Sequence, residues 1–558
     1  MQKRSLARRL LLIAALIVGA IVLALRTDEA GEALCDTLRR EVPGRLGLEV
    51  GIAKCRIDPL TQTVRLSGVS VFDPSAAREE PIIAAEEAEV SLRNVLPGSI
   101  TLDWVRLKRP RVALEVELPD APEGGAKKGC PLTLLDRLRV QHLEVSGAEL
   151  QLAVKGRGAA QIEGLDVEWR QKRGVVSARV ELKGGAVELA DGRRGRLAKS
   201  LLEAELDVDD EVLSIQRGEV GVDGVKVTAT GSIEALCEAE PKLALNAQLF
   251  LPLATAVKLS GKELEAGGTL WSRLQVNGRP QALSVKAELQ GSDVRLDRFR
   301  PGDFTARVAW AGKELAIEDF FTQAGNGTAR VSGNIKLESG LPARFKVETT
   351  EASLARILER AGLPGAWVEL AASVKGTLQG TLSPRPNLQG DFEAHATGFH
   401  LAARAFDAPP ADGPTILQFP RGDATLHLGI FPDRVDLTGI RVALGEGQHT
   451  RVEGSVTLNY DMARGIEVHA AADPVVLSDF GHIAGLPWAG VGSARVDIAG
   501  PYADVSIAGQ LQLRDFKFAD YALGVVQTPL KFRGELLHFE AISGQKGKTH
   551  FFGDVGLT

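Results

Sequence analysis

Gly547, Lys548 and Thr549 form the one phosphate-binding pattern in the chain, inside the stretch GQKGKTHF. A phosphate-binding loop needs a glycine five positions before the glycine of this tripeptide and a helix after the threonine. Position 542 is Ile542, and the residues after Thr549 alternate between polar and apolar as in a strand. We therefore interpret the tripeptide as a hairpin turn that binds no nucleotide.

Other residue types that support catalysis or metal binding are present but scattered. The acidic stretch Asp207 to Glu211 lacks the glycine and the further ligands of a calcium loop, so we interpret it as a solvated turn. The nine histidines form no metal-binding pattern, and the four cysteines form no closely spaced pair. The sequence therefore predicts a protein that is not an enzyme and has no cofactor and no metal.

Composition limits both the functional class and the fold class of the protein. The net charge is −6 and both signs are interspersed, whereas a nucleic-acid binder would show a basic face. Apolar residues make up 44% of the 558 residues, but aromatic residues only 5%, and there are 60 glycines. Many turns, few aromatic residues and no dominant helical pattern predict an all-β chain.

Period-two alternation supports that class. In LLEAELDVDD, apolar and acidic residues alternate, and VSARVELK and RVALEVEL repeat the pattern. Each such strand has one apolar and one polar face. The residues that we predict to line an apolar groove are Val112, Leu114, Val116, Val176, Val180, Leu182, Leu202, Leu206, Val208, Leu243, Leu245 and Leu249.

A longer repeat lies over the alternation. Four stretches consist of a strand, a glycine-containing turn and a second strand that ends in Gly-x-apolar, and three others share a turn around a glycine. Short helical segments precede those turns, in PLATAVKLSG, SLARILERAGLPGAW and LSDFGHIAGLPWAG. Such arrays build an elongated sheet. The repeat glycines are Gly231, Gly333, Gly454 and Gly553 in the first set and Gly278, Gly380 and Gly500 in the second.

The N-terminus carries an apolar run from Leu10 to Leu25. At ~1.5 Å per residue it covers ~24 Å, and the flanking arginines extend its reach toward the ~30 Å of a bilayer core. Basic residues precede the run and acidic residues follow it, so the positive-inside rule places the N-terminus in the cytoplasm and the body across the membrane. We expect an uncleaved transmembrane anchor; a cleaved signal peptide is the alternative.

The sequence predicts four regions. Residues 1–27 form a cytoplasmic stub and anchor, residues 28–120 a juxtamembrane helix and first β segment, residues 121–130 a flexible loop and residues 131–558 a repetitive β region. Outside the cytoplasm, Cys35 and Cys55 can form a disulfide between the helix and the first strand, with free thiols as the alternative. The last residues, THFFGDVGLT, stop inside a repeat, which predicts either a piece of a longer protein or a partner docked there.

The order of these features resembles a known family. Residues 64–117, VRLSGVSVFDPSAAREEPIIAAEEAEVSLRNVLPGSITLDWVRLKRPRVALEVE, are similar to the start of AsmA-like proteins, TamB-like members in particular. The lines NLQGDFEA and GPYADVSIAGQLQLRDF resemble TamB-like repeats. The resemblance implies an inner-membrane protein with its body in the bacterial periplasm. It also implies a β-taco, which is a sheet folded into an open trough with an apolar interior, and the passage of phospholipids along that trough toward the outer membrane.

Two alternatives remain open at this stage. The apolar face can be covered by a second sheet as a dry sandwich, instead of by lipid. The protein can also be a scaffold for outer-membrane protein assembly, which adds strands to its clients by β-augmentation. TamB-like members pair with an outer-membrane barrel of the Omp85 type through a C-terminal domain. No such domain is recognised in this sequence, so that partner is expected only through a part not seen here.

The first testable prediction concerns topology. A reporter enzyme fused after residue 60 should be active only outside the cytoplasm, because the charges around Leu10–Leu25 orient the anchor. The mature protein should also keep Met1 or Gln2. A mature N-terminus near Arg26, read by N-terminal sequencing, would replace the anchor with a signal peptide and leave the compartment unchanged.

Overall fold

The fold was analysed in a computed structural model of the chain. It describes residues 49–58, 61, 63–72, 81, 83–96, 99–116, 140–154, 158–238, 240–261, 263–402, 405–407, 415–445, 447–480, 483, 486–533 and 536–557. The described residues form an all-β structure with two short α-helices, as the alternation predicts. None of the described helices has the length and hydropathy needed to cross a bilayer. The predicted anchor, Leu10–Leu25, and the predicted juxtamembrane helix lie outside the described residues.

The chain divides into two compact units. The first comprises residues 1–262 and 273–283. Its elements, in chain order, are β1 (Glu49–Asp58), β2 (Thr63–Phe72), β3 (Ile83–Leu96), β4 (Ser99–Lys108), β5 (Arg111–Val116), β6 (Val140–Val154), β7 (Gly158–Lys172), β8 (Val175–Leu182), β9 (Gly184–Leu189), β10 (Arg194–Leu197), β11 (Ser200–Asp207), β12 (Val212–Val222), β13 (Val225–Glu234), β14 (Lys242–Pro252), helix α1 (Leu253–Ser260) and a 3-10 turn (Pro280–Ala282).

The second unit comprises residues 263–272 and 284–558, so the division falls inside β15 (Ala266–Gly278). Its further elements are β16 (Ser284–Leu296), β17 (Phe299–Ala311), β18 (Glu314–Ala324), β19 (Gly327–Lys336), β20 (Pro342–Thr350), β21 (Ala352–Ser353), helix α2 (Leu354–Arg360), β22 (Val368–Thr381), β23 (Asn387–Ala402), β24 (Thr415–Ile430), β25 (Arg434–Leu444), β26 (Thr450–Asn459), β27 (Ile466–Val476), a 3-10 turn (Leu477–Asp479), β28 (Trp488–Gly500), β29 (Ser506–Phe518), β30 (Tyr521–Arg533), β31 (Leu536–Lys546) and β32 (Thr549–Leu557).

Most strands pair antiparallel with their neighbours in sequence, as a chain of hairpins. A few strands pair antiparallel with a strand farther along the chain, as β7 does with β9 and β8 with β11. Among the described residues, only β6 pairs in parallel, with both β4 and β5. These two strands form one extended line that is interrupted at Arg109, where φ is +45°, and at Pro110, which has no N–H to donate. A parallel pair needs a long crossover, and 23 residues, 117–139, separate β5 from β6. The parallel pairing of β6 departs from the elongated, repetitive antiparallel sheet that the repeated strand pairs predict.

Single residues in the left-handed region break many of the long strands. In β2 this residue is Gly68, with φ of +62°. Gly68 has no register partner on either neighbouring strand, although the register of β2 is the same before and after it. The alternation of β2 changes phase at this glycine, with Val64 and Leu66 before it and Val69 and Val71 after it. Asp293 and Asp515 adopt the same backbone region in β16 and β29, and there the register shifts at a bulge. Bulges of this kind bend a strand and keep its apolar residues on one face.

The repeat glycines of the first set have a steric cause. A methyl group added at Gly231 or Gly333 would lie 2.1 Å from a carbonyl oxygen of the next strand, and one at Gly454 would lie 2.2 Å away. These three positions therefore exclude every side chain. At Gly553, in β32, nothing lies within 4 Å of such a methyl group. The repeat thus fixes the close approach of two strands, and Gly553 is the one member that lacks this contact among the described residues.

The predicted helical segments form two helices and one turn. PLATAVKLSG forms α1, and SLARILERAGLPGAW forms α2, whose N-cap Ser353 accepts a hydrogen bond from the N–H of Arg356 at 3.4 Å. Among the described residues of the third segment, LSDFGHIAGLPWAG, Leu477–Asp479 form a 3-10 turn and Trp488 begins β28. Gly481, Gly485 and Pro487 follow within eight residues of Asp479, and glycine and proline both oppose an α-helix.

Cys55 and Cys237 are both disulfide-bonded. Cys35 and Cys130 lie outside the described residues, so the Cys35–Cys55 pairing stays a prediction. The disulfide at Cys55 nevertheless fits the oxidising compartment that the sequence predicts.

The second testable prediction uses the repeat glycines. Replacing Gly333 by alanine places a methyl group 2.1 Å from the carbonyl oxygen of Arg344 and forces β19 and β20 apart. We expect a loss of about 2–3 kcal/mol, seen as a lower urea midpoint. Gly553→Ala is the matched control, because it makes the same change at the equivalent repeat position in open space. Equal midpoints for the two variants would contradict the steric explanation.

Candidate functional site: an apolar face across the strands

Apolar residues align across the strands of the first unit in one unbroken row. Each residue of this first apolar row is the register partner of the next, so all of them point to the same face of the sheet. The row is Val64, Val90, Val105, Leu143, Trp169, Ala178, Ala204, Ile215, Gly231 and Leu245, on β2, β3, β4, β6, β7, β8, β11, β12, β13 and β14.

A second apolar row runs beside it on the same face, two residues along each strand. It begins at Cys55 on β1 and ends at Ala247 on β14. No charged residue interrupts either row. The second apolar row is Cys55, Leu66, Ala88, Leu107, Val145, Val167, Val180, Leu202, Gly218, Ala229 and Ala247.

The residues between these two rows form a charged row on the opposite face. Arg65 Nε lies 2.7 Å from Glu89 Oε1, and Arg106 Nε lies 2.9 Å from Glu144 Oε2. Arg179 pairs with Glu203 farther along the row. These exposed pairs contribute little stability individually, but they keep this face in water and specify the register. The charged row is Arg56, Arg65, Glu89, Arg106, Glu144, Glu168, Arg179, Glu203 and Arg217.

The apolar face of the first unit is incompletely covered by protein. Leu189, Leu202 and Val220, all on this face, are exposed to 39%, 41% and 51%. Three clusters of buried apolar side chains occur among the described residues, and all three lie in the second unit. Most members of the two apolar rows are half-buried instead of buried. This face therefore offers a band of apolar surface that a dry core would have closed.

The predicted lining residues fall mainly on this face. Val180, Leu202 and Leu206 are aligned with one another and with their neighbours, and Leu243, Leu245 and Leu249 continue the face on β14. Val176 differs from them, since it is buried to 2% exposure, and Leu182 pairs with Ser200. Val112, Leu114 and Val116 lie on β5 as partners of alternate residues of β6. Val208 lies after the end of β11, in a turn where its N–H donates to the Gly174 carbonyl, so its predicted strand position is wrong.

The second unit has an apolar face of its own with the same period. A row of register partners runs from Val285 on β16 to Gly500 on β28. Here the face is covered by the chain itself, because α2 and the residues after it pack on it. Leu358 and Leu363 from this segment form a buried cluster with Leu458, Ile466 and Tyr502.

Segments near this covering helix also contact turns at the opposite ends of the strands. We define the first rim as residues 297–298, 354–367 and 405–407, and the second rim as the turns 431–433, 460–465 and 501–505. The strands alternate in direction, so these turns lie at opposite strand ends. Arg298 Nη2 nevertheless donates to the Pro432 carbonyl at 3.0 Å, and the Phe406 N–H donates to the Tyr502 carbonyl at 2.8 Å. The sheet of the second unit therefore curves until its rims meet.

An apolar pocket of about 290 Å³ lies farther along the second unit, among β28 to β32. Trp488 stands in its wall with three phenylalanine rings around it, at centroid distances of 5.5–5.6 Å. Phe552 and Val555, on β32, leave 78% and 43% of their surface exposed. The pocket offers an aromatic apolar surface, whereas the two apolar rows of the first unit are mainly aliphatic.

The motifs considered for chemistry occupy turns. Gly547 has φ of +60° in the turn between β31 and β32, which confirms the hairpin interpretation. Asp207 Oδ1 accepts hydrogen bonds from the N–H groups of Asp209 and Asp210, both at 3.1 Å, so the acidic stretch is a turn as predicted. Within the described part of the chain, no group of histidine, cysteine and carboxylate side chains is arranged to hold a metal ion.

Sequence reasoning missed the charged row, although a signal for it was present. The tripeptides VRL at 64–66, AEV at 88–90, VRL at 105–107, LEV at 143–145 and ARV at 178–180 each place one charge between two apolar residues. Aligning these tripeptides would have given the register. The rim contact of Arg298 had no such signal, because 134 residues separate it from Pro432.

Comparisons with known proteins identify no family. No family model, no curated protein and no solved structure matches the chain. The functional argument therefore depends on the geometry of the faces and on the resemblance of individual sequence lines.

The third testable prediction concerns a histidine on the polar face. His469 Nδ1 lies 2.7 Å from Asp497 Oδ1, and its Nε2 lies 3.0 Å from Glu467 Oε1. Both hydrogen bonds raise the pKa of His469 above its ordinary value. The contribution of this pairing to stability is therefore complete below the unfolded-state pKa of about 6.5 and is lost as the pH rises through the folded-state pKa.

An NMR titration of the histidine ring protons should show this raised pKa. Asp497→Asn should lower the pKa of His469 toward the ordinary value, because it removes the nearer carboxylate. Glu453→Gln, on the same face but away from the ring, should leave it unchanged. A wild-type pKa at or below that of the variant would contradict the geometry.

Proposed function

We propose that the apolar face binds the acyl chains of phospholipids and that the protein carries these lipids along an open trough, or β-taco, toward the outer membrane. The observation that supports this most is the pair of unbroken apolar rows across the first unit, whose side chains remain half-exposed. Acyl chains fit such a surface because their burial needs apolar area and no hydrogen bonds.

The strand register explains how a lipid could move along such a surface. A lipid moving from strand to strand meets only aliphatic, aromatic, cysteine or glycine positions along each row. At ~4.8 Å between strands, each step is short compared with an acyl chain, so contact need never be lost. The headgroup can stay in water at the open side, as the charged row occupies the other face.

The membrane position and the partners belong to the same proposal. The anchor at Leu10–Leu25 would hold the chain in a bacterial inner membrane, with its body in the periplasm, and an Omp85-type barrel would receive the lipid through a part not seen here. The AsmA-like resemblance supports these points. No energy source or lipid species is assigned.

The alternative is a scaffold for outer-membrane protein assembly. It would use exposed strand edges, and β32 pairs on one side only among the described residues, with β31. This alternative gives no reason for two uninterrupted apolar rows on a half-exposed face. A client strand needs a free edge, whereas an acyl chain needs a continuous apolar surface.

The fourth testable prediction separates a lipid-binding face from a dry core. Leu206→Asp combined with Val180→Asp places two charges on the apolar face. In a dry core an unpaired buried charge costs several kcal/mol and would unfold the strands around it. On an open face the carboxylates can take up water. We therefore expect strand content near wild type by circular dichroism and loss of lipid transfer between donor and acceptor vesicles.

Photo-crosslinking supplies the direct readout. A benzophenone side chain at position 206 should capture phospholipid, whereas one at Glu205, on the polar face of the same strand, should not. Glu205→Lys is the matched control for the charge change and should alter neither folding nor transfer. Equal capture at 205 and 206, or a folded protein with no capture at 206, would favour the scaffold.

A further inference from the structure

Two arginines at the first rim of the second unit lack a carboxylate partner. Among the described residues, neither Arg298 nor Arg360 forms an ion pair, whereas Arg356 and Arg307 nearby pair with Glu359 and Asp319. Exposed arginines can remain unpaired because water solvates them. Arg298 and Arg360 are only partly exposed, so they lose part of that solvation without gaining a counter-ion.

Arg298 has only neutral partners. Nη2 donates to the Pro432 carbonyl, and the guanidinium lies 3.8 Å from the centroid of Tyr460 and 5.1 Å from that of Phe299. Its Nε is buried without a hydrogen-bond acceptor. A buried N–H without a partner is costly, so this side chain retains an unused donor in the rim-to-rim contact.

Arg360, at the end of α2, is held similarly. Its Nη1 donates to the Thr322 hydroxyl at 2.7 Å. Burial and the positive charge of Arg356 lower its pKa, and Asp303 opposes them from beyond ion-pair distance. The Asp303 carboxylate is itself engaged, since Oδ1 accepts from the N–H of Asp293 at 2.8 Å.

The fold brings the chain segments that carry these two arginines together. Gly302 lies beside Arg360, since a methyl group added there would be 3.7 Å from Nη2. Gly362 lies against Arg298, where an added methyl would meet its backbone oxygen at 2.8 Å. Directly inside this rim lies the buried cluster that contains Leu358 and Leu363. Two cations that have no counter-ion among the described residues thus stand at the entrance to an apolar interior.

We propose that Arg298 and Arg360 bind the phosphate of a phospholipid headgroup at the closed rim of the second unit. The proposal rests on the lipid-binding function proposed above. Guanidinium groups bind phosphate oxygens through paired, charge-assisted hydrogen bonds, and the unused Nε of Arg298 supplies one such donor. A headgroup that engages Arg298 competes with the Pro432 carbonyl, so its binding loosens the contact between the rims and gives the acyl chains access to the apolar face beneath.

The test uses the purified full chain in detergent, with a benzophenone side chain at Phe299, which is 41% exposed at this rim. The probes are dioleoyl phosphatidylglycerol and dioleoylglycerol, which have the same acyl chains with and without phosphate. We expect about tenfold more capture of the phospholipid, which corresponds to one charge-assisted interaction. Equal capture of the two lipids by the wild-type protein would overturn the proposal, and this comparison needs no variant.

Variants test whether Arg298 and Arg360 cause this preference. R298Q with R360Q should remove the preference for phosphatidylglycerol, whereas R298K with R360K, which keeps both charges, should retain part of it. R307Q is the matched control, since it removes an arginine from β17, the strand that follows Arg298, where Arg307 lies 3.5 Å from Asp319. A preference that survives R298Q/R360Q, or that R307Q removes equally, would refute the assignment.

Two further arms separate the possible outcomes. Inorganic phosphate is also added in place of lipid. It should not prevent the benzophenone at position 299 from reacting with a soluble competitor, because inorganic phosphate has no acyl chain to hold it at the rim. Protection equal to that by phosphatidylglycerol would assign the site to free phosphate. Capture at position 206 is measured in the same samples. Lipid at 206 without a phosphate preference at 299 refutes this inference alone, while no lipid at either position refutes the proposed function as well.

Discussion

Strand register is the constraint on which the other features of this structure depend. A shift of one residue in any strand would move its apolar residues to the charged face and its charges to the apolar face. The two apolar rows exist only because every pairing from β2 to β14 holds the same alignment. The ion pairs of the charged row act against a slip, since Arg65 and Glu89, or Arg106 and Glu144, meet only in the observed register.

Bulges make that register compatible with curvature. A regular strand is nearly straight, whereas a sheet whose rims meet must bend within its strands. Left-handed residues such as Asp293 and Asp515 introduce the bend and add one residue, which keeps the apolar positions on one side. In the second unit the bend is large enough for Arg298 to reach Pro432, eight strands later in the order. The apolar face is therefore enclosed there, while the first unit leaves it half-exposed.

The sequence predicted the all-β class, the faces of individual strands and two of the three helical segments, because these depend on neighbours in the chain. Leu202 and Leu206 share a face for the same reason that Glu203 and Glu205 share the other. The parallel pairing of β6 was not predictable, since it depends on where a 23-residue connection returns. The rim contact was equally hidden, because Arg298 resembles any other arginine in a turn until distant strands are in place.

The hairpin order also has a consequence for how the chain is made. Nearly every strand pairs with the strand just before it, so most contacts join residues close in sequence, and such contacts form rapidly. Each new strand can add to a finished edge as soon as it leaves the ribosome or a membrane pore, without waiting for the rest of the chain. Two events do not fit this scheme: β6 must wait for its long connection, and the rims of the second unit can meet only after β24 has been added. We expect those two steps to set the pace of folding.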